Sequence, residues 1–287
     1  MDRLEPVGVN APQIEYWDGA AGNRWARLAE SQDAMLEALG LAAMDACDVQ
    51  PGQTVLDCGC GSGMTTFELA NRVGAYGRVV GIDLSGPMLD VAFARLNERD
   101  IANIEFEHRD ISSYSFESGT FDRVYSRFGV MFFVDPVGTF TNIRSGMKSG
   151  SRLAFICWQV LNKNPWMEIP IKVALRHVPA PPPADPDAPG PMAFADPEKI
   201  RRILSGAGFE EISIDGLEMG LPFEADAQST ARRLVQASGG VTRLLNNQPE
   251  DIKLRVEQDL CDAVADLKSG DRITLGSATW VVTATAP

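Results

Sequence analysis

Apolar positions along the 287-residue chain change their period several times, and each change marks a new element. From Tyr16 to Ala46, the residues Trp17, Trp25, Leu28, Met35, Leu36, Leu39 and Met44 recur at mostly helical intervals, which predicts broken helices in an amino-terminal cap. The turn DVQPGQ follows. After it, the short apolar run TVLDCGC leads into glycines and reads as a buried strand, and SGMTTFELANRVG reads as a helix ending at Gly74. The alternation repeats through strands RVVGIDL, IEFEHRD, FDRVYSRFGV and SRLAFICWQV and helices GPMLDVAFARLNERD and DPVGTFTNIRSGM. Strands alternating with helices of about a dozen residues imply right-handed crossovers and a parallel sheet covered on both faces. The expected core is a doubly wound, Rossmann-like α/β sheet.

Beyond Val160 the rhythm breaks. The stretch PWMEIPIKVALRHVPAPPPADPDAPGPMAF carries a proline cluster that cannot sit inside a sheet and is expected to be a semi-rigid surface excursion. Because it leaves the carboxyl edge of a parallel strand, where α/β proteins bind ligands, it is either a linker or a wall of a substrate pocket. DPEKIRRILSGAGF predicts a helix capped by Asp196 with Pro197 in its first turn. EEISIDGLEMGL and ITLGSATWVVTATAP supply the sixth and seventh strands, and the helical stretch between them is either a lid or an oligomer surface, the second making a homodimer. One domain is therefore expected: a helical cap over 1–48, a cofactor-binding core over 49–160, a proline-rich substrate-side insertion over 161–195, a core continuation over 196–224, a helical segment over 225–268 and a terminal strand over 269–287.

Composition narrows the ligand. Lys and Arg number 26 against 39 Asp and Glu, a formal charge of −13, which repels a polyphosphate backbone and argues for a small-molecule partner over nucleic acid. The opening MDRLEPVGVN has no apolar signal-peptide region and no apolar run approaches bilayer length, so no membrane partner and a cytoplasmic location are expected. Five scattered cysteines suit reduced thiols, and Cys58-x-Cys60 lacks a second pair at metal-ligand spacing, so no metal is expected.

The stretch VLDCGCGSG places Gly59, Gly61 and Gly63 at alternate positions directly after the first strand, where a backbone must approach a ligand without Cβ atoms in the way. A mononucleotide loop needs a Gly-Lys-Ser/Thr ending, which is absent. A dinucleotide fingerprint would place bulky Met64 at its third small position. An acceptor-only carboxylate at Asp57 suits a ligand bearing a cation. Asp83, twenty residues after Gly63 at the end of the second strand, has the spacing of a carboxylate that accepts ribose hydroxyls. Asp110, at the end of the third strand, can accept from an exocyclic amine while Ile111 packs on a purine face. An adenosine bearing a cationic amino acid fits the three stations in order.

These residues resemble the class I S-adenosylmethionine-dependent methyltransferases through VLDCGCGSG, VVGIDLS, HRDI and FDRVYSRFGVMFF, and SRFGVMFFVDP and CWQVLNKNPW look like the family's small-molecule branch. The resemblance implies a seven-stranded sheet, mostly parallel with an antiparallel last strand, and S-adenosyl-L-methionine as cofactor with S-adenosyl-L-homocysteine as product. It implies that Gly59, Gly61 and Gly63 line the methionine portion, that Asp57 faces its amino group, that Asp83 holds the ribose, and that Leu84 and Met88 flank the adenine beside Asp110 and Ile111. It also implies that the chain at Ser126 and Arg127 passes near the methionine. YWDGAAGNRW is similar to the cap of small-molecule N-methyltransferases, which would bring Tyr16 and Trp25 over the sulfonium, π-density toward the charge.

The expected activity is methyl transfer to an O, N or C atom of a small organic molecule by in-line displacement, for which a protein base is optional. Of the two histidines, His108 reads as structural and His177 as a weak catalytic candidate. Phe132, Phe133, Trp158, Trp166 and Phe194 are candidates for an apolar acceptor pocket. A non-catalytic S-adenosylmethionine-binding protein and an NAD-dependent oxidoreductase remain as alternatives.

Overall fold

The computed structural model describes residues 3–287 apart from 184, 186, 225, 270 and 271. Two of these lie in the proline-rich insertion, one opens the expected helical segment and two lie at the start of the terminal-strand segment, so those portions of the expectation fall outside the described residues. Helices α1 (Ala11–Trp17), α2 (Ala20–Arg27) and α3 (Ala29–Cys47) precede the first strand. They are followed by β1 (Thr54–Cys58), α4 (Met64–Val73), β2 (Arg78–Asp83), α5 (Gly86–Asn97), β3 (Ile104–His108), β4 (Phe121–Arg127), α6 (Pro136–Ser145) and β5 (Met147–Trp158). The remainder comprises α7 (Pro165–Ala174), α8 (Pro197–Gly206), β6 (Glu210–Pro222), α9 (Ala227–Ala237), α10 (Gly239–Leu245), α11 (Glu250–Ala265), β7 (Lys268–Ser269) and β8 (Arg272–Thr285).

Seven strands run in the order β3-β2-β1-β4-β5-β8-β6, with the two-residue β7 paired onto β8. Pairings from β3 across to β5 are parallel, whereas β8 runs antiparallel to both β5 and β6. The expected mixed, doubly wound sheet is therefore present. β1 and β2 are buried along nearly their whole length, as strands covered on both faces must be, and so carry continuous apolar runs instead of alternation. On one face lies α3, whose Leu36, Leu39, Ala43, Met44 and Cys47 are buried, and the Tyr125 hydroxyl donates to the Gly40 carbonyl at 2.9 Å.

Helix starts follow local chemistry. Ser85 caps α5 by accepting from Met88 N, Asp135 caps α6 by accepting from Gly138 N, and Asp196 caps α8 by accepting from Glu198 N, each with a proline at the start of the helix.

Two differences from the sequence expectation have physical causes. The segment expected to be a proline-rich excursion begins with a regular helix, α7: Pro165 sits in its first turn, where no backbone donor is lost, and Trp166, Met167, Pro170, Val173 and Ala174 form a buried stripe at helical spacing. Three strands also end two or more residues earlier than their apolar runs. β1 stops at Cys58, β3 at His108 and β4 at Arg127, and the residues beyond leave the sheet as ligand-side loops.

Register brings those loops to one edge. Cys58 pairs with Ile82 and Asp83 with His108, so the carboxyl ends of β1, β2 and β3 are level. The chain leaves β1 toward β2 on one side and returns to β4 on the other, which makes the β1/β4 edge the switch point of the sheet and the place where such folds open a crevice.

Candidate functional site

A cavity of about 450 Å³ opens at this switch point, within the roughly 300–1,000 Å³ range of small-ligand sites. Its floor is the loop after β1. Gly59 and Gly61 have φ of +69° and +54°, a region that side-chain-bearing residues avoid, and Gly59 N donates to Ile82 O at 2.9 Å. A Cβ on Gly59 would stand 3.0 Å from the Gly129 Cα, with backbone on both sides of the contact. Gly59→Ala is therefore expected to lower stability by about 1–2 kcal/mol, read as a fall in the thermal midpoint.

The acids at successive strand ends are held in different ways. Asp83 accepts from Gly61 N through Oδ2 at 2.7 Å and from Ser85 N through Oδ1 at 2.8 Å, so one carboxylate ties the glycine loop to the start of α5. Burial pushes Asp83 above the usual carboxylate range, against the pull of those N–H groups and of His108. Asp110 accepts from the Ser112 N–H and hydroxyl at 2.9 and 2.7 Å. Asp57 lies deeper, wholly buried, and accepts from the Thr65 and Thr66 hydroxyls at 2.7 Å each. Burial raises Asp57 to about 6, opposed by the Thr66 and Thr65 hydroxyls and by Arg127.

Of the residues singled out in the sequence, Tyr16, Trp25, Gly59, Gly61, Asp83, Leu84, Met88, Asp110, Ile111 and Arg127 all line this one cavity, as do Phe132, Phe133, Trp158 and Trp166. Asp57, Gly63, Ser126 and Phe194 stand behind the wall. Gly63 caps α4 and faces Phe106, Ala92 and Phe67. The Ser126 hydroxyl donates to Cys58 O at 2.7 Å and so ties β4 to β1, and Phe194 packs in the core against Phe140 and Phe155. His177, in the turn after α7, is bonded to Asp259 of α11 at 2.9 Å, and His108 sits between Leu84 O at 3.0 Å and the Asp18 carboxylate at 3.4 Å. Neither histidine lines the cavity.

Several lining residues carry no sequence signal of their own. Asp33 on α3 accepts from both Arg127 and Arg95 at 2.8 Å, one carboxylate shared by two guanidiniums. Asp18, outside the lining, accepts from Gly86 N at 2.8 Å and pins the turn between α1 and α2 to the start of α5. From the far side, Ala237, Ser238, Gly239, Gly240 and Arg243 reach the cavity from the junction of α9 and α10. Trp17 and Leu36, which also line the cavity, were within reach of pattern reasoning, because both belong to the helical spacing of the amino-terminal segment.

Aromatic rings form two walls. Trp17 meets Phe132 edge-on at 4.8 Å on one side. On the other, Phe128 stacks on Trp158 at 4.1 Å with their planes 9° apart, and Trp158 leans on Trp166 at 5.0 Å. Phe128 adopts φ of +60°, a strained conformation for a bulky residue that the stacking holds in place. Chemically, the cavity offers a bare backbone and carboxylates at one end and apolar rings at the other. The Cys58 and Cys60 thiols are raised well above their ordinary range by burial, and among the described residues no group of three His, Cys, Asp or Glu side chains stands ready for a metal.

A family described as "Methyltransferase domain" matches residues 55–150. Among curated proteins, the chain is 33% identical over 117 residues to an aklanonic acid methyltransferase of Streptomyces, covering 41% of this chain and 53% of that one. It is 37% identical over 105 residues to a demethylmenaquinone methyltransferase of Lactococcus lactis, covering 37% and 42%. The matched regions thus span about half or less of these relatives' length. Among solved structures, phosphoethanolamine N-methyltransferase 2 of Haemonchus contortus, determined with S-adenosyl-L-methionine, superposes with a TM-score of 0.55 at 19% identity over 87% of this chain and 52% of that one, a likeness of fold. No helix among the described residues is long and apolar enough to cross a membrane. Residues 55–150, which carry the glycine loop after β1, thus match a methyltransferase domain, and the mixed sheet with its reversed β8 shares the fold of a structure determined with S-adenosyl-L-methionine.

Proposed function

We propose that the protein transfers the methyl group of S-adenosyl-L-methionine to an O, N or C atom of a small organic acceptor and releases S-adenosyl-L-homocysteine. The observation that carries this reading is the meeting, in one cavity, of the Gly59–Gly61 loop, Asp83 and Asp110 at one end with an aromatic chamber at the other. The residues fit the cofactor. Gly61 lines the cavity with φ of +54°, a backbone conformation that side-chain-bearing residues avoid, and its bare Cα faces the movable end of Met88. The Asp83 oxygens accept from the Gly61 and Ser85 N–H groups at 2.7 and 2.8 Å, and a carboxylate has acceptor capacity beyond these for a ribose hydroxyl.

Bound there, the cofactor supplies a methyl group already activated on a sulfonium. The protein's part is alignment and exclusion of water: Tyr16, Trp17 and Trp25 close the amino-terminal side and Phe128, Trp158 and Trp166 the other, so acceptor and methyl are held in line in a dry volume. With neither histidine at the cavity, the acceptor is one that loses its proton before or after transfer without help from a histidine.

Thermal unfolding tests the reading. S-adenosyl-L-homocysteine at a hundred times its dissociation constant should add about 2.7 kcal/mol, and NAD at the same concentration should add nothing. Stabilisation by NAD, with none from S-adenosyl-L-homocysteine, would overturn it.

A further inference from the structure

The charge around the cavity is unevenly spent. Acidic residues exceed basic ones 39 to 26, and of the arginines that line the cavity Arg127 rests on Asp33 while Arg109, just past β3, donates to the His108 carbonyl at 3.4 Å. Arg24 of α2 and Arg243 of α10 line the cavity as well, yet among the described residues neither has an ion pair or a hydrogen-bonded acceptor. The two come from opposite sides. A Cβ built on Gly239 would lie 3.6 Å from an Arg24 guanidinium nitrogen and 3.8 Å from the Tyr16 hydroxyl. Arg243 is four residues further along the same helix, one turn from Gly239 on the same face. The Arg24 guanidinium and the Tyr16 hydroxyl therefore meet beside the start of α10, the helix that carries Arg243, and among the described residues no acidic side chain is paired with either arginine.

Such an arrangement repels itself until an anion enters, and in a chain of net charge −13 it is not part of a general positive field. It is built from α2 and α10, elements other than the strand-end loops that carry Asp83 and Asp110. The paired aromatic walls of the same cavity, Trp17 with Phe132 and Phe128 with Trp158, present faces and edges that suit a flat ring system.

Resting on the methyl-transfer reading above, we propose that the acceptor is a flat aromatic molecule bearing an anionic oxygen group, the rings lying between the aromatic walls and the anion held by Arg24, Arg243 and the Tyr16 hydroxyl. A charge-assisted pair with a planar guanidinium is shorter and stronger than a neutral hydrogen bond, so the anion fixes the direction in which the ring system enters. The methyl-accepting atom then lies at the opposite end of the molecule, toward the glycine loop.

Calorimetric titration of the protein saturated with S-adenosyl-L-homocysteine tests this with three matched probes: 2-naphthoate, 2-naphthyl phosphate and the uncharged 2-naphthamide. At least one anion is expected to bind about tenfold tighter than the amide. The tighter of the two anions identifies the group as carboxylate or phosphate. In the Arg24→Gln/Arg243→Gln double variant the preference should vanish, while affinity for S-adenosyl-L-homocysteine stays within about twofold of the parent. Equal binding of all three probes, binding of none, or a preference that survives the double substitution would overturn the assignment. So would a tenfold loss of S-adenosyl-L-homocysteine affinity in the variant, which would give the arginines to the cofactor's own carboxylate. A parent protein that does not bind S-adenosyl-L-homocysteine at all sinks the methyl-transfer reading itself, and this assignment with it.

Discussion

Asp83→Ala is expected to weaken binding of S-adenosyl-L-homocysteine by about 10²–10⁴-fold, the loss of two charge-assisted hydrogen bonds at roughly 1.5–3 kcal/mol each. The effect is large because the carboxylate has two tasks. Its oxygens accept from Gly61 N and Ser85 N at 2.7 and 2.8 Å, which sets the glycine loop against the start of α5, and their remaining lone pairs are what a ribose diol requires. Alanine removes both, so part of the loss reflects a loop no longer held open. Asp83→Asn separates the tasks. The amide keeps the side chain's shape and one acceptor but turns an N–H toward a backbone N–H, so it should fold with a modestly lower midpoint and still bind at least tenfold more weakly than the parent. Calorimetry of both variants, with circular dichroism to show that each is folded, decides the matter. Tight binding by either variant would remove Asp83 from the nucleoside site.

Much of this site was legible in the sequence because parallel strands end where ligands begin. Gly59, Asp83 and Asp110 stand at or just past the ends of β1, β2 and β3, and the register of those strands turns an order along the chain into neighbours in space. Asp57 shows the limit of that logic. A position before the glycines marks an acid as near the ligand, but only packing reveals that Asp57 is buried behind the lining and bonded to the hydroxyls of Thr65, which lines the cavity, and Thr66, which does not. The partner of Arg127 was equally hidden: Asp33 lies 94 residues earlier on α3, and nothing local to either residue points to the other. Helix α7 was missed because proline count outweighed period, although Trp166, Met167, Pro170, Val173 and Ala174 carry the helical spacing. The contribution of residues 237–243 was out of reach for a related reason, since a long helical stretch between two strands reads alike whether it covers a cavity or a partner.

Asp57→Asn is expected to change the pH dependence of stability by about 3 kcal/mol between pH 4 and pH 8, the free-energy equivalent of a rise from 3.8 to about 6 in a wholly buried carboxyl. The sign follows from the direction. A raised value means the folded state holds the proton more tightly than the unfolded chain, so this contribution is fully present below about pH 3.8, is lost as pH rises through about 6, and is constant above that. One oxygen accepts from both threonine hydroxyls while Oδ1 is buried without a partner, so the ionised form is left with a charge only half satisfied. Asparagine keeps an acceptor for the threonines and cannot ionise. The difference in unfolding free energy between variant and parent, measured by denaturant titration, should therefore move in the variant's favour from pH 4 to pH 8, with other acids cancelling because they titrate in both proteins. Parallel stability curves would show that Asp57 carries no buried charge. The same carboxylate gives ligand binding a pH signature: if a cation enters the cavity above it, affinity for S-adenosyl-L-methionine rises from pH 5 to pH 7 in the parent, by up to about tenfold per pH step, and stays flat in Asp57→Asn.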